Sequence, residues 1–301
     1  MLLPVRRQRQ GGCRLNSVLR NDFRPDEATI ARLRDRAQFV RLETIRLIEI
    51  AKVGHYTSVF SAAEIFAALY YDVMRLSDDP KWADRDRFLM GKGHAAVGLF
   101  PILADLGYLS ADLLNGYTRL GNPLGDHPDM RKVAGVDFSS GSIGHALSNG
   151  LGMALGARMQ GRDFTTFVML GDGEMQEGQV WEAALGAAHH KLSRLVAIVD
   201  RNGYQLDGAV DDVMGIEPLD EKWRAFGWEV HIVDGHDIGE LTAALRRAKA
   251  DEARTRPCCI IARTVKGKGV GYMETEPGWH LGYLDPSDAE AARAEILSKV
   301  I

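Results

Sequence analysis

Two kinds of hydrophobic pattern alternate along this chain. Short, mainly apolar runs at Thr166–Leu170, Leu195–Val199, Glu229–Val233 and Cys258–Thr264, with a less apolar one at Arg85–Met90, read as strands. Between them, apolar residues recur every three or four positions. Leu33, Ala37, Val40, Ile45, Ile48 and Ile50 make Ile30–Lys52 one long amphipathic helix. Ser61, with Glu64 three residues on, predicts a capping box for a helix over Ala62–Met74, leaving His55-Tyr56-Thr57-Ser58 as a loop. Further helices are expected over Ala95–Leu106, His145–Met159, Glu174–His190, Leu219–Phe226 and Asp237–Ala250, with a final one opening at Pro286. The alternation predicts an α/β fold, a doubly wound and mostly parallel sheet with crossover helices on both faces. Cys258 and Cys259 should face opposite sides of it. No repeat or low-complexity linker divides the chain, so residues 26–301 are expected to form one domain behind a basic, disordered start.

Chemistry gathers where strands end. Gly171-Asp172-Gly173 follows one apolar run, and Asp200-Arg201-Asn202 closes the next. In an open α/β sheet the carboxyl edge is where ligands bind. A carboxylate and an amide oxygen beside a glycine turn and a helix start suit a hard divalent cation, Mg2+ with Ca2+ or Mn2+ as substitutes, holding a diphosphate. Gly91-Lys92-Gly93-His94 makes a similar strand-to-helix turn. The helix after Ser142-Ile143-Gly144 is rich in Ala and Gly, which fits close packing on the sheet, a backbone approach to a ligand, or both.

Composition narrows the classes. The chain has 301 residues, is 46% hydrophobic, and contains no apolar run near the ~20 residues a membrane helix needs. A net charge of −4 argues against nucleic acid as the main partner. Three cysteines, two of them adjacent, fit no disulfide or metal framework, so a reducing cytoplasm is expected. Arg6, Arg7, Arg9, Arg14, Arg20 and Arg24 face only Asp22 in the first two dozen residues, a disordered tail rather than a targeting signal. A dinucleotide-binding fold is excluded because no G-x-G-x-x-G follows the first strand.

The stretch from Gly171 to Asn202 resembles the diphosphate motif of thiamine diphosphate enzymes. From about residue 35 to 300 the chain resembles the amino-terminal half of transketolase, in particular the type split into two polypeptides. The resemblance rests on Gly54-His55, Gly93-His94, His127-Pro128-Asp129, Gly141-Ser142-Ile143-Gly144, the diphosphate motif, Thr264-Val265-Lys266-Gly267-Lys268-Gly269 and Trp279-His280. It implies that Asp172, Asn202 and the Tyr204 carbonyl hold Mg2+. His94, Ser142, Ile143, Gly144, Gly171, Gly173 and Glu174 would adjoin thiamine diphosphate, and His55, His94, His127 and His280 would line the substrate channel. Imidazole suits that channel because it donates and accepts protons near neutrality. Glu177, and less readily Glu182, would join an acidic network between neighbouring chains.

The implied reaction uses the cofactor as electron sink while a two-carbon ketol unit passes from a ketose, or ketose phosphate, to an aldehyde. The acid that activates the cofactor belongs to a pyrimidine-binding domain, so the chain is expected to work only with a second polypeptide that carries it, in a heterotetramer. Alternatives are a non-catalytic partner that keeps the fold and a 2-oxo acid dehydrogenase α-type subunit. Arg201 stands where the family often has Asn or Asp, at a position that is not a ligand. Three further departures, Tyr56-Thr57 expected to narrow the channel, Asp126 before His127, and His145-Ala146, put the usual pentose phosphates in doubt as substrates.

Overall fold

The computed structural model describes residues 23–206 and 208–299, so the Arg-rich start expected to be disordered lies mostly outside the described residues. Helix α1 (Glu27–Ala51) is capped by Asp26, whose carboxylate accepts the Thr29 amide at 2.8 Å, and it buries the stripe foreseen from its periodicity. The elements that follow are α2 (Tyr56–Phe60), α3 (Ala63–Ala68), β1 (Arg87–Met90), α4 (Ala96–Asp105), α5 (Ala146–Met159), β2 (Thr166–Gly171), α6 (Gly178–His189) and β3 (Leu195–Arg201). After a two-stranded flap, β4 (Tyr204–Gln205) with β5 (Gly208–Ala209), come α7 (Val210–Met214), α8 (Leu219–Ala225), β6 (Glu229–Asp234), α9 (Ile238–Ala250), β7 (Cys258–Arg263) and α10 (Pro286–Ser298).

The main sheet runs β1-β2-β3-β7-β6, every pair parallel. Side chains alternate across it. Phe167, Met169, Ile198, Cys258 and Ile260 face the core under α1, α3, α4 and α9, while Val168, Leu170, Ala197, Val199 and Cys259 face the core under α5, α6 and α8. The two cysteines thus point to opposite faces, as their adjacency in a strand requires. Gly150 lets α5 lie against β2, since a Cβ there would stand 2.5 Å from Val168 Cγ2.

Three expectations are corrected. Tyr56-Thr57-Ser58 are helical rather than loop, and all five residues of α2 are buried. So short a helix is held by packing, not propensity. Ser61 and Glu64 form no capping box: Ala62 sits at the cap of α3 without a side-chain bond, Ser61 Oγ donates to Asp200 Oδ2 at 2.7 Å, and Glu64 is paired with Arg41 at 2.7 Å, both fully buried. The run to Met74 also loosens into a π-helical segment at Leu69–Val73. The helix expected over Glu174–His190 is instead a 3-10 turn, Gly173–Gln176, a break at Glu177, and then α6. Among the described residues no helix is long and apolar enough to cross a membrane.

Candidate active site

Loops from the carboxyl ends of β1, β2, β3 and β7 close around a cavity of about 500 Å³. Asp172, at the end of β2, is 1% exposed. Its carboxylate accepts the Gly173 amide at 2.9 Å, the Gly203 amide at 2.5 Å and the Arg201 guanidinium at 3.2 Å. Burial pushes this carboxyl up to about 6. Asn202, at the end of β3, accepts the Tyr204 amide on Oδ1 at 3.1 Å. The Asp172 and Asn202 oxygens therefore both gather over the turn 202–204, and Asp172, Asn202 and Tyr204 all line the cavity. One carboxylate with amide and carbonyl oxygens is the donor set a hard cation takes. Lys92 and Lys266, 3% and 1% exposed, bring positive charge to the same cavity, as a diphosphate would need. Arg201, expected not to be a ligand, reaches the carboxylate foreseen as one, its guanidinium 3.2 Å from Asp172 Oδ2.

A buried network behind Asn202 escaped the sequence reading. Asp200 accepts from the Lys92 ammonium, the Thr264 and Ser61 hydroxyls and, at 3.2 Å, from Asn202 Nδ2. Burial opposes its ionisation, but Lys92 holds the carboxyl below its usual range. Because Asn202 spends its NH2 on Asp200, its oxygen is left for the cavity. Glu174 is a brace as much as a lining residue: its two oxygens accept the amides of Gly144 (2.7 Å) and Gly171 (3.1 Å), and burial pushes it up to about 7. Gly144 has φ +91 and lies against Glu177, where a Cβ would come within 2.8 Å of the Glu177 Cβ.

The four expected histidines come together from four loops. Ring centroids of His55 lie 5.1 Å from His94, 5.3 Å from His280 and 6.4 Å from His127, and those of His94 and His280 are 5.3 Å apart. His94 Nε2 is 3.0 Å from Ser58 Oγ. Burial, reinforced by Lys92, holds His94 well below the usual imidazole range; burial and Lys266, whose Nζ is 3.3 Å from His280 Nδ1, bring His280 to about 4. Both rings are neutral near pH 7.

Other expected residues fall elsewhere. Of the loop 142–144 only Ile143 lines the cavity, while Ser142 and His145 border a separate surface depression and Gly144 is buried. Glu177 is at the rim; Glu182 is exposed on α6. Tyr56 and Thr57 do not narrow the channel, because both are buried, the Tyr56 hydroxyl accepting the Leu284 amide and Thr57 Oγ1 donating to the Trp279 carbonyl.

Fold and site together define a thiamine diphosphate-binding domain. Residues 33–296 match the family described as transketolase, thiamine diphosphate binding domain, and the chain belongs to that family. It is 38% identical to the 6-deoxy-6-sulfo-D-fructose transketolase subunit of a Clostridium species, over 88% of this chain and 96% of that one. It is also 38% identical to one of the subunits of the apulose-4-phosphate transketolase of Phocaeicola vulgatus, over 85% and 91%. Human transketolase matches at 38% over 92% of this chain but only 44% of its own length. The crystal structure of Campylobacter jejuni transketolase superposes with a TM-score of 0.81 at 27% identity, covering 90% of this chain and 43% of that one. The chain has the organisation of the amino-terminal subunit of a split transketolase, a transferase.

Proposed function

We propose that residues 26–301 form a unit that binds thiamine diphosphate through a divalent cation, Mg2+ by preference, held by Asp172, Asn202 and the Tyr204 carbonyl. With a pyrimidine-binding partner chain, in a heterotetramer of two copies of each, it transfers a two-carbon ketol unit from a ketose to an aldehyde. The observation that carries this reading is the convergence of Asp172, Asn202, two buried lysines and four histidines on one cavity. When bound, the cofactor supplies the electron sink for breaking the carbon–carbon bond. Lys92 and Lys266 offset diphosphate charge, and the Gly171 and Gly173 turn lets the backbone approach it. Neutral His94 and His280 can donate to a ketose oxygen or take a proton from it without adding charge. Exposure of Glu177, beside Gly144 at the rim, supports its part in an acidic network between neighbouring chains.

Two of the relatives are a sulfofructose and an apulose phosphate enzyme, which supports a donor other than the common pentose phosphates here too. Full-rate transfer from xylulose 5-phosphate to ribose 5-phosphate in a coupled assay would refute that substrate assignment. A cytoplasmic location fits Cys258 and Cys259, both free and buried.

The test is calorimetric titration of thiamine diphosphate with Mg2+ into the chain, alone and mixed with the pyrimidine-domain partner. Tight binding and ketol transfer in the mixture alone are expected. No binding in either sample would overturn the cofactor assignment.

A further inference from the structure

Asp126 lies between two of the four histidines. Its Oδ1 is 3.5 Å from His55 Nδ1 and its Oδ2 is 3.5 Å from His127 Nδ1, while the Tyr117 hydroxyl lies 3.5 Å from Oδ1. At 3.5 Å all three separations sit at the long end of hydrogen-bond distances. Side-chain exposure rises from 11% at His55 to 40% at Asp126 and 43% at His127, so the three step outward from the cavity. His55 Nδ1 is buried and makes no hydrogen bond, and the Asp126 carboxylate lies 3.5 Å from it. On the inner side His55 faces the rings of His94 and His280, with Lys92 and Lys266 near those rings.

We propose that Asp126 is a positioning residue that fixes the ring orientation and tautomer of both His55 and His127. A carboxylate has two acceptor oxygens and no proton to give, so it can take an N–H from each ring at once. Which imidazole nitrogen carries the proton is set by the bond the other face makes. With Nδ1–H directed at Asp126 in both rings, both Nε2 atoms are left for a substrate in the channel. Burial works against the charge on Asp126, but His55 and His127 hold its carboxyl below the usual range, so it serves as an acceptor at neutral pH. The catalytic consequence rests on the transketolase reading; the tautomer assignment does not.

The first measurement therefore needs neither partner nor cofactor. Nitrogen-15 NMR of the imidazoles in the full chain, with peaks assigned from His55→Gln and His127→Gln, reads the tautomer of each ring. The wild type should show the Nδ1–H form for both. Asp126→Asn keeps the shape but offers one acceptor oxygen, so at least one ring should revert to the Nε2–H form, and Asp126→Glu should restore both. Wild-type rings already in the Nε2–H form, or no change in the Asn variant, would overturn the proposal.

A melting curve checks each variant, and if Asp126→Asn unfolds, Asp126→Gly and the wild-type spectrum decide the matter in the same way. In the complex with its partner, assayed with the best donor and acceptor found in a panel of ketoses, ketose phosphates and aldoses, Asp126→Asn should lower kcat by about 10- to 100-fold with KM little changed, as for partners that orient a working imidazole. A tautomer change without any ketol transfer in the wild-type complex would sink the proposed function and leave the role of Asp126 standing. Transfer without a tautomer change would do the reverse.

Discussion

At the scale of single residues the site depends on charges that have lost their water. Asp200 is fully buried against Lys92, and removing one member of such a pair leaves the other uncompensated. Asp200→Asn should cost about 3 to 5 kcal/mol of stability. It should also weaken metal-supported cofactor binding, because an asparagine leaves one acceptor oxygen for Lys92, Thr264, Ser61 and the amide of Asn202 to share; denaturant melts and calorimetry read the two effects separately. His280 gives a pH signature. Its imidazole is depressed to about 4 by burial and Lys266, so between about 6.5 and 4 the unfolded chain binds a proton that the folded chain refuses. Its contribution is therefore present above 6.5 and lost as pH falls toward 4. His280→Asn should make the melting temperature fall less steeply over that window, and an unchanged slope would contradict the assignment. Asp172 and Asn202 could be picked out in the sequence because they sit at strand ends beside glycines, and the histidines because they lie in loops that match the family's motifs in order. The roles of Asp200 and Lys92 could not, and Asp126 stood out only as a departure from the family pattern, since the partners lie 108, 139 or 71 residues away, as with Lys92–Asp200, Ser61–Asp200 and His55–Asp126.

At the scale of elements, periodicity located the helices and strands but not how they are tied together. Glu64 on α3 pairs with Arg41 on α1 and with His236 after β6, whose Nε2 accepts the Val265 amide at 2.9 Å. Burial alone would raise Glu64, yet Arg41 and His236 bring it to about 2. This chain of contacts anchors the loop that carries Lys266, so Glu64→Ala should destabilise the fold by about 3 to 5 kcal/mol and loosen that loop; hydrogen exchange at 265–269 would report it. Glu64 was legible only as a capping residue, because a local motif is visible in sequence and a buried ion pair is not. Gly93 gives a sharper test. A Cβ there would stand 2.7 Å from Ser140 Oγ and 2.8 Å from the Gly141 nitrogen, so backbone would have to move. Gly93→Ala should cost about 1 to 3 kcal/mol, seen in the melt, and shift the loop below Ile143.

At the scale of the whole molecule, ligand and fold are linked. A ligand that binds only the folded chain stabilises it by about 2.7 kcal/mol at a hundred times its Kd. In the complex with the partner chain, thiamine diphosphate with Mg2+ should therefore raise the melting temperature, a chelator should abolish the gain, and Asp172→Ala should show none; a gain that survives chelation would exclude the metal role. The sequence by itself determined the parallel α/β sheet, the carboxyl-edge location of the site and the family, because strand runs, helical stripes and glycine turns are local signals and the motifs occur in order. Tertiary structure alone decided that Tyr56 and Thr57 turn into the core instead of the channel, that Arg201 reaches Asp172, and that Asp126 stands between His55 and His127. Those outcomes depend on which buried groups must find a partner once the loops close together, and a burial constraint of that kind has no spacing by which a linear sequence could announce it.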